Sequence, residues 1–382
     1  MSADAHRPLR VRRARSGAAG AEDATILWSN AAGMSRLREH QVVGALHLIK
    51  PSIKFKNENS AAAAGQTSLG GEGGEGGDAG GLNVVPNLYF VAPLGPQWSF
   101  GLGLNSPFGL VTEYDEGWIG RFQALKSSIK TINVNPAVAW KLVPRVGVGL
   151  GLNFQRIDAE FTNNVNYSGA LLNAAVAAGV VAGSPQFVAI AQATPGLESR
   201  ASIEGTDNAW GWNAGVLWEL DDKTRAGAHY RSSIKYSLQG DAKFTNPTPA
   251  ATGNVPLDTL VAQLATGVNT SPAGLSNTAI TSDVKLPAIL NLSYFATLND
   301  QSPVPNADRT PRLPDAERTW LALGAQYRIG PNLTFDAGAA YVLVKKASID
   351  NRGGSAVNAN GRLAGRCDSN TLIASGQVSY SF

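Results

Sequence analysis

Side chains of alternating polarity recur along this chain, and that alternation constrains the fold more than any other feature. In residues 146–155, VGVGLGLNFQ, one phase holds Val146, Val148, Leu150, Leu152 and Phe154. The other holds Gly147, Gly149, Gly151, Asn153 and Gln155. A period of two puts successive side chains on opposite faces of a strand, so one face here is greasy and the other small or polar. The same pattern runs through 98–105 (WSFGLGLN), 210–220 and 333–341. It also ends the chain in GQVSYSF, where Val378, Tyr380 and Phe382 oppose Gln377, Ser379 and Ser381. Similar segments sit near 42–50, 82–92, 131–142, 224–238, 284–295 and 320–329, roughly eleven in all. Many have the length of about ten residues that a tilted strand needs to cross a bilayer.

The connections fall into two kinds. APLGPQ (92–97), LVPR (142–145), LDDKT (220–224) and IGPN (329–332) are tight turns. The segments 51–81, 106–130, 159–203, 243–283 and 350–370 are long. Short turns at one end and long loops at the other mark an outer-membrane barrel. A soluble β-sandwich also alternates, but it uses shorter strands and loops. Trp98, Trp140, Trp218, Tyr327 and Tyr380 lie near segment ends, as interfacial aromatic girdles do. The expected fold is all-β, a transmembrane antiparallel barrel. No stretch of about 18 apolar residues offers a helical span. The nearest, 169–193, is interrupted by Asn173 and by Ser184, Pro185 and Gln186. A net charge of +3 leaves no nucleic-acid footprint, and the single Cys367 excludes an intrachain disulfide. Five arginines in the first fifteen residues, with no apolar run behind them, read as a basic disordered tail over 1–17 rather than a signal peptide.

Two features carry candidate chemistry. Loop 159–203 holds Leu171, Leu172, Val176, Val180, Phe187 and Val188. Loop 243–283 holds Leu257, Leu260, Val261 and Leu264 at the spacing of one helix face. Loops this apolar either pack on each other or capture an apolar ligand. The second feature is a basic ladder, Lys223, Arg225, His229, Arg231 and Lys235, in the expected inward phase of 223–237. Arg156 and Arg318 are similar lumenal charge candidates. Such groups hold a carboxylate, or they line the lumen in pairs with acids such as Glu22 and Asp23. Enzyme signatures fail. SSIK at 127–130 and 232–235 has no partner motif, the glycine runs never complete a dinucleotide fingerprint, and the four histidines lack metal spacing. No catalytic residue, cofactor or metal site is expected.

Several stretches resemble FadL-type outer-membrane transporters. They are AAGAEDATILWSNAAGMSRL (18–37), LGLNSPFGL (102–110), YRSSIKYSLQGDAKF (230–244), VKLPAILNLSY (284–294), the long run 300–342 and the terminal Phe382. The resemblance implies a fourteen-stranded barrel in the Gram-negative outer membrane, plugged by an N-terminal hatch at about 18–40, with the barrel over 41–382. Asn30, Ala31, Ala32 and Gly33 stand where the family reads Asn-Pro-Ala-Gly. It implies a strand break near 103–111, carried here by Pro107, Phe108 and Gly109, for sideways release into the bilayer. Long-chain fatty acids or other hydrophobic small molecules are the implied ligands, taken up by passive diffusion in the groove between the two long loops. Outer membrane lipid and the barrel assembly machinery, addressed by Phe382, are the implied partners, and a monomer the implied state. About three family strands are missing between 284–296 and 300–305. Eleven segments are an odd number, so 297–317 must climb the wall unpaired or the barrel is incomplete. The competing readings are a water-filled porin, a lipid-modifying barrel and a shortened member without transport.

Overall fold

In the computed structural model the described residues are 10–12, 19, 21, 23–62, 66, 74–220, 225–271, 274–293, 318–329, 332–351 and 363–382. The alternating runs form one sixteen-stranded sheet in which every pairing is antiparallel. Its first half is β1 (Arg10–Arg12), β2 (Gln41–Asn57), β3 (Asn83–Pro93), β4 (Trp98–Asn105), β5 (Gly109–Glu113), β6 (Lys126–Val143), β7 (Val146–Asn166) and β8 (Glu198–Glu219). The second half is β9 (Arg225–Arg231), β10 (Ile234–Thr245), β11 (Thr278–Leu286), β12 (Ile289–Ser293), β13 (Arg318–Ile329), β14 (Leu333–Val344), β15 (Ala347–Asn351) and β16 (Leu363–Ser381). Four passes are made in two pieces: β4 with β5, β9 with β10, β11 with β12, and β14 with β15. With the three-residue β1 set aside, the described wall has the eleven crossings that the alternation implies.

The wall is apolar outside and small or polar inside. Leu150 and Leu323 on the outer face are 61% and 74% exposed, while Asn153, Asn213 and Asn133 on the inner face are fully buried. Trp98 and Trp140, joined in register, stack 5.5 Å apart near the tight turns, as in an interfacial girdle. Phe382 exchanges backbone hydrogen bonds with His40, which ties the C-terminus to the start of β2. Strands run further than periodicity indicated. β7 continues to Asn166 and β8 begins at Glu198, so the loop expected over 159–203 shrinks to 167–197. Likewise β10 ends at Thr245 and β11 starts at Thr278, which trims the loop expected over 243–283. These extensions interrupt their apolar phase with polar residues such as Asn163, Ser199 and Thr278, so the alternation does not mark them. Within the expected basic tail, β1 pairs three residues with β13.

Among the described residues the sheet has two edges: β11 and β12 pair with β10 and β9 alone, and β13 pairs with β14 and the short β1. Residues 297–317, where the odd strand number requires a climb, lie outside the described residues.

Candidate functional site: a plugged lumen and a lapse in its wall

The hatch is a short helix, α1 (Ile26–Ser29), followed by a 3₁₀ turn over Ala31–Arg36. Asn30 caps the turn by accepting from the Ala32 N–H at 3.1 Å, and its Nδ2 donates to the Val216 carbonyl at 3.0 Å. Ala31 and Ala32 are fully buried, and Gly33 packs against Ile26 so closely that a Cβ would overlap it. The inward glycines of the wall are the hatch's seat. A Cβ on Gly149 would overlap the Ala32 backbone, on Gly215 the Asn30 side chain, and on Gly101 Leu27 and Met34. Among the described residues Asp23 pairs with no lumenal base. It accepts from Gln377 Nε2 at 2.9 Å and from the Thr25 backbone N–H at 2.9 Å. Glu22 lies outside the described residues.

Beside the hatch a band of carboxamides crosses the inner wall. Asn105 on β4, Asn133 and Asn135 on β6, Asn153 and Gln155 on β7, and Asn213 on β8 are all buried. Asn133 donates to Asn105 at 3.1 Å. The band ends on β9 at Arg231, which lies opposite Asn213 in the ladder and donates to Asn153 Oδ1. Arg231 also donates to the Trp28 carbonyl at 2.9 Å and lies over the Trp28 ring at 3.5 Å. His229 is buried two residues away on the same face. Arg231 is a candidate from sequence; the amides are not. Their signal was present, since Asn153, Gln155 and Asn213 all fall in the polar phase.

The basic ladder does not continue as expected. Arg231 pairs with Asn213, but Gln239 pairs with Thr206, so the strand holds one extra residue at Ser232 and Ser233 relative to β8. Pro287 and Ala288 break the neighbouring strand at the same level. The bulge reverses the phase. Ile234, Tyr236 and Leu238 turn inward and are buried with Ile157, Ala159 and Ala209. Lys235 turns outward and is exposed, which corrects its expected lumenal place. Arg156 is corrected too. It shares the outer phase of Leu150 and Leu152 and pairs with Asp158 at 2.9 Å. Arg225 is half-buried near the tight-turn end of β9. Arg318 opens β13, and its side chain lies outside the described residues.

Above the wall, the two long loops fold into α2 (Tyr167–Ala177), α3 (Pro185–Ala193) and α4 (Val255–Thr270), each capped by an Asn or Ser side chain. Leu171, Leu172, Val180, Val261 and Leu264 are buried in one cluster, with Phe187, Leu257 and Leu260 packed on its flank. The loops therefore pack on each other. Val176 and Val188 stand outside the core at 45% and 43% exposure.

The wall lapses between β3 and β5. β3 pairs with β4 only up to Leu88 and Leu104, so the stretch from Asn83 to Asn87 bonds to β2 alone. Across the gap, Ser106, Pro107 and Phe108 face only Thr131 and Ile132 of β6, one residue too many. Thr131 bridges the mismatch: its hydroxyl accepts from the Phe108 N–H at 2.9 Å, and its backbone N–H and hydroxyl both donate to the Phe108 carbonyl, at 3.0 and 2.8 Å. Pro107 and Pro86, on opposite sides of the gap, both lack an N–H. Gly109 then restarts pairing with Lys130. The carboxamide Asn105 stands at the gap's lower corner.

An apolar-faced barrel with a seated internal plug and a proline-lined lapse in one wall defines a plugged outer-membrane channel. The comparisons with known proteins agree. A family profile described as "Outer membrane protein transport protein (OMPP1/FadL/TodX)" matches residues 10–301 and 299–382. The chain belongs to that family, and its place is the outer membrane. The two matched stretches meet where the missing strands were expected. The chain is similar to outer membrane protein P1 of Haemophilus influenzae, 28% identical with 86% of this chain and 82% of that protein covered. It is also similar to the long-chain fatty acid transport protein of Escherichia coli O157:H7, 26% identical with 68% and 70% covered. Among solved structures, a Pseudomonas aeruginosa FadL homologue has a TM-score of 0.74 at 19% identity, covering 95% of this chain and 96% of the other. The Pseudomonas putida toluene transporter TodX has a TM-score of 0.58 at 14% identity, with 93% of each covered. At these identities the structural likeness concerns the fold alone.

Proposed function

We propose that this protein carries hydrophobic compounds across the outer membrane by passive diffusion and releases them sideways through the lapse between β3 and β5. The observation that carries the reading is the lapse itself. A wall in hydrocarbon satisfies its backbone groups by pairing, so a designed interruption flanked by two prolines serves passage. The surrounding lumen suits the role. The seated hatch blocks straight passage of water and argues against a general porin. The apolar wall of Ile234, Tyr236 and Leu238 offers a route from the apical helices toward the gap. Val176 and Val188 on the helix cluster are the exposed apolar residues first met by a ligand. The names of the relatives, a long-chain fatty acid transport protein and a toluene transporter, fit an apolar cargo. Non-covalent carriage needs no catalytic group, and a non-enzyme is the consistent reading.

The register dictates the test. Deleting Pro107 alone removes the extra residue and brings β4 and β5 into one register with β6. The joined strand then meets β3 along its whole length. Uptake of labelled oleate or toluene by cells expressing this variant should fall to background, while the folded protein still binds the compound. Undiminished uptake would sink lateral release. Rapid swelling of proteoliposomes in small sugars would favour a porin.

A further inference from the structure

We infer that one sector of the barrel's outer face, on β2, β16 and β14, is a docking site for a phosphorylated lipid of the outer leaflet. Its phosphates are held at the loop end and its acyl chains in a groove below. The site concerns the membrane around the barrel, not the cargo, and stands apart from the transport reading. The outward phase of β2 runs Leu46, Leu48, Lys50, Ser52, Lys54, Lys56, so apolar side chains give way to cations within one strand. β16 makes the same change from Leu372 to Asp368 and Arg366, and β14 from Leu343 to Lys345 and Lys346 just past its end. Leu372 stands opposite Lys50, Asp368 opposite Lys54, and Arg366 opposite Lys56. Acids match only part of this charge. Glu58 pairs with Arg366 at 2.5 Å and Asp368 with Lys346 at 3.6 Å. Asp78, bridged to Lys54, accepts from the Ile53 N–H and the Ser52 hydroxyl, each at 2.7 Å, and Glu75 accepts from the Asn57 N–H at 2.8 Å. Among the described residues Lys50 and Lys56 have no carboxylate partner. Lys56 also faces Arg366 across the ladder, a like-charge pair that an anion between them would relieve.

Toward the loop end of β7, β8 and β10 the pattern differs. Glu160, Glu204 and Asp241 stand side by side in register, and Lys126 and Arg156 are taken by Glu160 at 2.7 Å and Asp158 at 2.9 Å. The unmatched positive charge thus belongs to one sector. Below it, an apolar groove of about 700 Å³ crosses the lipid face of the same strands. Its floor is the small outward row Ala325, Ala337 and Gly376, paired strand to strand, and its rims are Leu46, Phe335 and Val378. Leu46 lies about 13 Å below Lys50 along β2, at the rise of an extended strand. A lipid with its phosphates at Lys50 and Lys56 therefore lays its acyl chains toward the groove. Phosphates supply the anions those lysines lack, and the long-loop end of such a barrel meets the outer leaflet.

The test uses the full chain in phosphatidylcholine nanodiscs, with bisphosphorylated lipid A and its dephosphorylated form as probes and native mass spectrometry of the retained lipid as readout. The bisphosphorylated form should bind at least about tenfold more tightly, since each cation near a membrane surface contributes about fivefold toward an anionic lipid. Lys50→Gln and Lys56→Gln should each remove about fivefold of that preference. All these side chains are on the surface, so the variants keep the fold. The control pair Lys130→Gln with Lys243→Gln, on β6 and β10, should leave the preference intact. Gly376→Leu, whose side chain enters open space, should fill the groove and weaken both forms several-fold. Equal binding of the two forms by the wild type, or equal losses in the two lysine sets, overturns the phosphate site. A Gly376→Leu variant that binds both forms as the wild type does overturns the acyl groove, and with it the lipid as occupant.

Discussion

Trp118 shows how much a single side chain holds at the outer end of the lumen. It is fully buried, donates its Nε1–H to the Ala124 carbonyl at 2.8 Å, stacks on Tyr114 at 4.0 Å and meets Phe55 edge-on at 5.6 Å. Trp118→Ala should cost about 3–5 kcal/mol of stability. The expected sign is a lower temperature at which the compact, heat-modifiable form is lost on a gel. Its neighbour Tyr114 has its phenol pushed far above the ordinary range, chiefly by burial. The direction of the pH effect follows. Below about pH 10 the phenol is neutral whether folded or unfolded, so it adds no pH dependence. Above that, the unfolded form ionises while the buried one resists, and stability falls as pH rises. Trypsin nicking within 114–125 should therefore accelerate above about pH 10, and Tyr114→Phe should remove the step. Arg156 carries a different lesson at this scale. Its type invited a lumenal role, but its phase places it beside Asp158 on the outer face, at the upper end of the apolar row of Val148 to Phe154.

Among elements, the bulge in the β9–β10 pass has the widest effect. Deleting Ser233 would restore one register against β8 but turn Lys235 inward and Ile234, Tyr236 and Leu238 toward lipid. The variant should lose most of its heat-modifiable form, and the remaining folded protein should lose oleate binding. Nothing in Tyr230 to Lys235 announces this, because serine is at home in either phase; a two-residue period carried through the bulge without reset therefore misplaces Lys235. The strands themselves were legible, since each membrane-height segment alternates. Their polar extensions, such as Asn163 to Asn166, were not, because pairing above the membrane needs no apolar face. The hatch was legible only through family resemblance: its helix is four residues long, too short for periodicity to register. Its seat gives a sharper prediction. In Gly149→Val the new side chain meets the Ala32 backbone, which cannot give way, so the hatch should lift. Planar-bilayer recordings should then show a raised ionic conductance, and Gly81→Val, in open space, should not.

At the scale of the whole molecule, the lipid-facing belt and the lumen divide the tryptophans into two populations. Trp98, Trp140 and Trp218 face outward near the tight turns, while Trp118 is enclosed. In single-tryptophan variants, lipids brominated near the head group should quench the first three and leave Trp118 bright. Equal quenching would contradict the inside–outside assignment. The count of crossings was legible in the alternation, and so was the odd number. What the alternation does not carry is direction at the edges: β11 with β12 and β13 both descend toward the tight-turn end, so no antiparallel bond joins them directly. One further consequence concerns how such a molecule changes over time. The wall carries a cast of the plug in its glycines, with Gly101 shaped to Leu27 and Met34, Gly149 to Ala32 and Gly215 to Asn30. Neither half can be redrawn alone. A lineage that enlarges a hatch residue must first find a smaller one across the lumen, and one that loses its hatch is free to let those glycines fill. The glycine pattern of a relative is thus a mould from which the shape of its plug can be inferred.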